Sequence, residues 1–180
     1  GHRELSSGLS CPVGFKNGTG GSVKIAVDAI GSASRPHRFL SVTREGQAAI
    51  VKTTGNDDCH VILRGGKEPN YDAVSVAQAS EVLQAADIRP RVMIDFSHGN
   101  SLKKYENQPK VCSDVAAQVA AGDQRIFGIM IESNLVAGNQ SVVDGKAATY
   151  GQSITDACVD WDTTEAMLAE LAGAVRNRRI

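Results

Sequence analysis

The 180-residue sequence contains no apolar run near the roughly 18 residues that a membrane-spanning helix needs. It also lacks an excess of either charge: 19 Lys and Arg against 20 Asp and Glu leave a formal net charge of -1. That balance offers no electrostatic footprint for nucleic acid or for an anionic membrane surface. No signal-peptide pattern opens the chain. There is no initiator methionine either, and the start at Gly1-His2-Arg3 reads as that of a piece of a longer protein. Cysteine is scarce, with Cys11, Cys59, Cys112 and Cys158 at no C-x-x-C spacing, which argues against a structural zinc knuckle. The four read as reduced, mostly buried thiols of a cytoplasmic protein. No internal repeat, low-complexity tract or linker divides the chain.

What is present is an ordinary globular composition, 42% hydrophobic and 22% charged, long enough for one domain with a sizeable core. Strand-like and helix-like segments alternate. A short strand over Cys11 to Phe15 precedes a helix with Val23, Ala26, Val27 and Ile30 on one face. Arg38 to Thr43 and Ala48 to Thr53 read as a β-hairpin. A strand over His60 to Arg64 is followed by a helix that Asp72 can cap, running to about Ala86. Val92 to Phe96 is the next strand, and Pro109 opens a helix to about Ala121. Ile126 to Ile131 is the last strand, followed by a long loop over Ser133 to Asp160. Asp162 and Glu165 have capping-box spacing for a final helix with Met167, Leu168, Leu171 and Val175 on one face. Hairpin aside, this is β-α four times over. The main strands are nearly continuous apolar runs, as in a parallel sheet buried on both faces. Four such units make half of an eight-fold β/α barrel, or a small open sheet.

Polar residues cluster where the strands end, which is where parallel α/β folds build their sites. Lys16 closes the first strand, Arg64 and Lys67 follow the second, Asp95 and His98 the third, and Glu132 the fourth. Asp156 lies in the long loop. His98, Glu132 and Asp156 offer one nitrogen and two carboxylates, a partial shell for a divalent metal. Lys16 and Arg64, with Lys67 near, offer positive charge to a multiply anionic substrate. Each residue alone has an ordinary structural reading, and their joint placement is what points to a site. Gly99, beside His98, reads as room for close backbone approach or an unusual dihedral angle.

The stretches CPVGFKNGTGG, HVILRGGKEPNY, VMIDFSHGNS, GIMIESNLVAGNQ and YGQSITDACVDW together resemble class I 3-deoxy-D-arabino-heptulosonate 7-phosphate (DAHP) synthase. The resemblance runs from end to end. It implies a (β/α)8 TIM barrel, of which residues 1-180 would be a single-domain segment holding the last four β/α units, with an inserted hairpin at about 38-53. It implies condensation of phosphoenolpyruvate with D-erythrose 4-phosphate, the first step of the shikimate pathway, in a homo-oligomer. His98, Glu132 and Asp156 would match metal ligands, and Lys16 and Arg64 phosphoenolpyruvate-binding residues. Lys67 and Asp95 would be additional site residues. The metal would be manganese, iron, cobalt or zinc. The family's cysteine ligand and KPRT segment are not in these 180 residues, so the segment alone should be inactive. The hairpin implies feedback inhibition by an aromatic amino acid, with FLSVT favouring phenylalanine and Phe39, Ser41, Val51 and Ser10 as effector residues. Two alternatives stand beside this reading. One is the sibling synthase that uses arabinose 5-phosphate. The other is a non-catalytic fragment that self-associates through open sheet edges.

Overall fold

The computed structural model describes residues 1–179. In chain order the elements are helix α1 (His2–Ser6), strand β1 (Val13–Lys16), α2 (Lys24–Ala33), β2 (Arg38–Val42), β3 (Ala48–Lys52) and β4 (Cys59–Leu63). They continue with α3 (Ala73–Ala85), β5 (Val92–Asp95), α4 (Gln108–Ala120), β6 (Ile126–Met130), β7 (Val136–Asn139), β8 (Gln152–Ser153) and α5 (Trp161–Arg178). The protein is α/β, and its main sheet runs β1-β4-β5-β6 with every neighbour parallel. All four strands therefore deliver their C-terminal ends to one rim.

One face of this sheet is covered by helices. Val61, Leu63, Val92, Ile94 and Phe96 meet Ile30 of α2, Val76 and Leu83 of α3, and Val111 and Val115 of α4 in a continuous core. Side chains that alternate along a strand put the next residues on the opposite face. There Ile62 and His60 cover Gly14, and Met93 covers Gly128. The His60 ring meets Phe127 edge-on, with centroids 4.9 Å apart. Burial on both faces holds for β4 and β5 but not for the whole sheet. β1 is only half-buried throughout, and Phe127 and Met130 of β6 are exposed. The reason is topological: β1 and β6 are the sheet's edges and have one strand neighbour each.

Caps set the helix boundaries. The Asp72 carboxylate accepts hydrogen bonds from the amides of Val74 and Ser75, as its position predicts. The last helix departs from the expected start. Its cap is Asp160, which accepts from the Thr163 amide, so Asp162 lies inside the first turn. A capping side chain reaches the amide two or three residues on, and Asp160 satisfies this with extended backbone at the cap itself. The inward face of α5 is Thr164, Met167, Leu171, Ala174 and Val175, whereas Leu168 is 49% exposed. Helical spacing alone could not separate Leu168 at the margin from Ala174 at the centre.

The thiols are free, but Cys11 is exposed and Cys59 half-buried, leaving only Cys112 and Cys158 in the core. The long loop after β6 is not featureless. It pairs as β7 with β8, and Gln140 brackets Thr149 through both its side-chain atoms. Short α1, ahead of the first expected strand, is tied to the end of β3 by a hydroxyl pair, Ser7 Oγ to Thr53 Oγ1 at 2.7 Å. Among the described residues, no helix is long and apolar enough to cross a membrane.

Candidate metal centre and anion cleft

The rim gathers the polar residues that the strands deliver. His98 stands three residues past the end of β5 with its backbone in the left-handed region, φ +55. A non-glycine residue there is uncommon, and such strain concentrates at sites. Its Nε2 lies 3.5 Å from Glu132 Oε1 and 3.8 Å from Asp156 Oδ2. One ligand atom from each of the three lies within 4.8 Å of the others. These gaps are too long for hydrogen bonds. They suit a shared ion: two ligand atoms each about 2.1 Å from a tetrahedral cation stand about 3.4 Å apart. The nitrogen and carboxylate donors suit manganese, iron, cobalt or zinc.

The ligand candidates differ in how firmly they are held. Ser97 donates its hydroxyl to Glu132 Oε2 at 2.6 Å, leaving Oε1 to face His98. The Glu132 backbone is gripped by Gln108, fully buried at the start of α4. The Gln108 amide donates to Glu132 O at 3.0 Å, and the Glu132 amide donates to Gln108 Oε1 at 3.0 Å. Asp95, at the end of β5, accepts the Lys16 ammonium on Oδ2 at 2.7 Å and the Ser97 amide on Oδ1 at 2.9 Å. Asp156 is exposed, the least anchored of the three.

An asparagine network joins the loops above the strands. Asn17 accepts the Arg64 amide and donates to Gly65 O at 2.9 Å. Asn70 accepts the Gly65 amide at 2.7 Å. Asn100 accepts the Asn70 amide at 2.8 Å and donates to Leu63 O and Asp95 O. Backbones meet closely here. A Cβ on Gly65, which has φ +73, would stand 2.5 Å from Asn100 N, and one on Gly99 would stand 2.8 Å from Gly65 C. The close approach expected of Gly99 is therefore its role. Its own φ is not positive, and the left-handed residue of the pair is His98.

A cleft of ≈ 510 Å³ opens on these residues. Arg64, Lys67 and Lys103 line it together with His98, Glu132 and Asp156. Among the described residues these three cations have no carboxylate within ion-pair distance, so their charge is available to an anion. Lys16 and Asp95 do not line the cleft: Lys16 is paired to Asp95, which engages one of its three ammonium donors. Sequence reasoning missed Lys103, Gln108 and the asparagines. Asn17 and Asn100 sit inside the polar stretches at strand ends, which was their available signal; Lys103 and Gln108 had none.

The hairpin residues Phe39, Ser41 and Val51 share its less exposed face, with Phe39 opposite Val51. The other face turns Leu40, Val42 and Ile50 to solvent. Ser10 is exposed beyond α1 and lies close in sequence to the Ser7–Thr53 tie.

These features define a class: an α/β protein with a parallel sheet that gathers a histidine, two carboxylates and a set of cations at the strand ends. The chain belongs to the DAHP synthetase I family, whose profile it matches over residues 1–169. It is 59% identical over 178 residues to the Phe-sensitive phospho-2-dehydro-3-deoxyheptonate aldolase of Escherichia coli strain K12, covering 99% of this chain and 51% of that protein. Against the Tyr-sensitive protein of the same strain it is 51% identical over 171 residues, 94% of this chain and 48% of that one. The solved structure of the Francisella tularensis SCHU S4 aldolase matches with a TM-score of 0.94 at 53% identity, over 99% of this chain and 52% of that chain. The chain thus spans about half the length of the relatives it matches.

Proposed function

We propose that this chain is the C-terminal half of a metal-dependent DAHP synthase, which condenses phosphoenolpyruvate with D-erythrose 4-phosphate and releases phosphate. The observation that carries the reading is the convergence of His98, Glu132 and Asp156 within 4.8 Å on the wall of a cleft that also presents Arg64. The open edges at β1 and β6 support the chain's place as four units of an eight-fold barrel. A divalent cation held by the three side chains supplies Lewis acidity toward an aldehyde oxygen.

The chain's own residues have distinct tasks. Both substrates are anions, so their approach is repulsive until cations offset the charge. Arg64 presents a planar fork to carboxylate or phosphate, and Lys67 adds a compact charge beside it. Lys16 serves the phosphoenolpyruvate side from its fixed place on Asp95. Held this way, C3 of phosphoenolpyruvate attacks the aldehyde carbon, water adds at C2, and the resulting hemiketal phosphate loses inorganic phosphate. The effector is an aromatic amino acid at the Phe39, Ser41 and Val51 face. Phenylalanine is favoured by FLSVT and by the higher identity to the Phe-sensitive relative.

The test is consumption of phosphoenolpyruvate with erythrose 4-phosphate and manganese, by this chain and by a longer chain in which the family's upstream half precedes Gly1. Little or no turnover is expected from the 180 residues and full turnover from the longer chain. Brisk turnover by the 180 residues alone refutes the division of the site. Turnover only with arabinose 5-phosphate refutes the aldose. Inhibition of the longer chain by tyrosine and not by phenylalanine sinks the effector assignment.

A further inference from the structure

Among the described residues Asp95 is the one charged residue that is buried, 1% exposed, and it neither lines the cleft nor belongs to the ligand triad. An isolated carboxylate in that position would be costly, and its partners make it tolerable. Oδ1 accepts the Ser97 amide at 2.9 Å, and Oδ2 accepts the Lys16 ammonium at 2.7 Å. The same Oδ2 lies 2.9 Å from His98 Nδ1. That nitrogen is buried and has no aligned hydrogen-bond partner, and among the described residues the Asp95 carboxylate is the charged group within contact distance of it.

A neutral imidazole carries a single N–H, and its position decides what the other nitrogen can do. With the proton on Nδ1, the ring offers a donor to Asp95 and a bare lone pair on Nε2, which faces Glu132 and Asp156. With the proton on Nε2, a lone pair is forced against the buried carboxylate, and no acceptor for a cation remains on the side where the two carboxylates converge. The backbone that carries the ring is itself tied down. His98 is held at φ +55, and its carbonyl accepts the Lys103 amide at 2.8 Å.

We propose that Asp95 is a positioning residue. It fixes His98 as the Nδ1–H tautomer, with Nε2 bare toward Glu132 and Asp156, while the same oxygen anchors Lys16. One buried carboxylate thereby sets the metal ligand and the substrate cation together. The consequence for metal affinity rests on the metal-centre reading above; the tautomer itself is a property of the metal-free chain.

The test is a long-range proton–nitrogen correlation spectrum of the ¹⁵N-labelled, metal-free chain at about pH 8, where an ordinary imidazole is neutral. The His98 signals are assigned by their loss in His98→Gln. The expected result is Nδ1 protonated and Nε2 bare. Asp95→Asn should shift the population toward Nε2–H and weaken manganese binding, read by calorimetry, by about tenfold to a hundredfold. Asp162→Asn, an exposed carboxylate in the first turn of α5, should change neither. An Nε2–H wild type overturns the proposal, as does Asp95→Asn with both tautomer and affinity unchanged. Should Asp95→Asn fail to fold, the wild-type tautomer decides alone. Nδ1–H in a wild type that binds no manganese refutes the metal centre and leaves the positioning role standing. Nε2–H with tight manganese binding does the reverse.

Discussion

Gly65→Ala is the substitution in which the rim's close backbone packing can be weighed. Two costs add. A methyl at φ +73 meets the left-handed penalty of an L-residue, about 1–2 kcal/mol. The same methyl would stand 2.5 Å from both Asn100 N and Gly99 C, which are backbone atoms that cannot rotate away. Relieving that overlap shifts the loop after β4 or the loop after β5, at a further cost of about 1–3 kcal/mol. The total, about 2–5 kcal/mol, is a large part of a typical domain's stability. Gly145 supplies the control. It has the same φ of +73, and a Cβ there meets nothing within 4 Å. Gly145→Ala therefore reports the dihedral cost alone. Urea unfolding followed by circular dichroism should place Gly65→Ala below Gly145→Ala by about 1–3 kcal/mol, a midpoint difference of about 1 M for a slope near 2 kcal/mol/M. Equal midpoints for the two variants would refute the argument that backbone contact adds to the φ cost at 65.

Other expectations follow from the caps and thiols. Asp72→Ala should lower stability by about 1 kcal/mol, and Asp160→Ala should also destabilise, both read by thermal unfolding. Burial acts to raise the Asp72 carboxyl, but hydrogen bonds from the Ser75 hydroxyl and the Ser75 and Val74 amides outweigh it and hold it low; the Thr163 hydroxyl and amide hold Asp160 low. Because both folded-state values lie below the unfolded ones, the caps contribute fully above about pH 4 and lose their effect as pH falls through the folded values. The stability gap between wild type and the double variant should therefore close in acid, and a gap that widens there contradicts the sign. Burial, with the Glu170 carboxylate adding to it, pushes the Cys112 thiol up to about 12. A thiol reagent at pH 8 should label exposed Cys11 quickly and Cys112 only on unfolding, as resolved by peptide mass spectrometry. Rapid labelling of Cys112 would mean that the contact between α4 and α5 opens readily.

Much of this architecture was legible because its signals are local. The Asp72 cap, the proline at the head of α4 and the apolar runs of β4, β5 and β6 each act within a few residues of chain. The alternation of β and α then implied parallel strands, which placed His98, Glu132 and Arg64 on one rim. What escaped depends on partners distant in sequence. Gln108 reads as an ordinary helix-start residue until Glu132 is seen 24 positions away on its two hydrogen bonds. Leu168 and Ala174 exchange the burial that hydrophobicity suggests, because α4 decides which stripe of α5 faces inward. The β7–β8 pair was hidden in polar, glycine-containing sequence with no alternation to reveal it. Lys16 was legible as a strand-end cation, but its engagement with Asp95 was not, since they lie 79 residues apart.

The asparagine network governs how the rim behaves. Asn17, Asn70 and Asn100 belong to three different strand-to-helix crossings: Asn17 bonds the backbone of Arg64 and Gly65, Asn100 accepts the Asn70 amide, and Asn70 braces Gly65 within its own crossing. They act as a keystone at the crossing after β4, which cannot swing outward without breaking its bonds to the crossings after β1 and β5. The wall carrying Arg64 and His98 is thus a stiff template rather than a hinged lid. If the wall binds anions as proposed, discrimination among them would come from the fixed spacing of its charges. Any induced adjustment falls to parts the keystone does not bind, chiefly the exposed Asp156 segment.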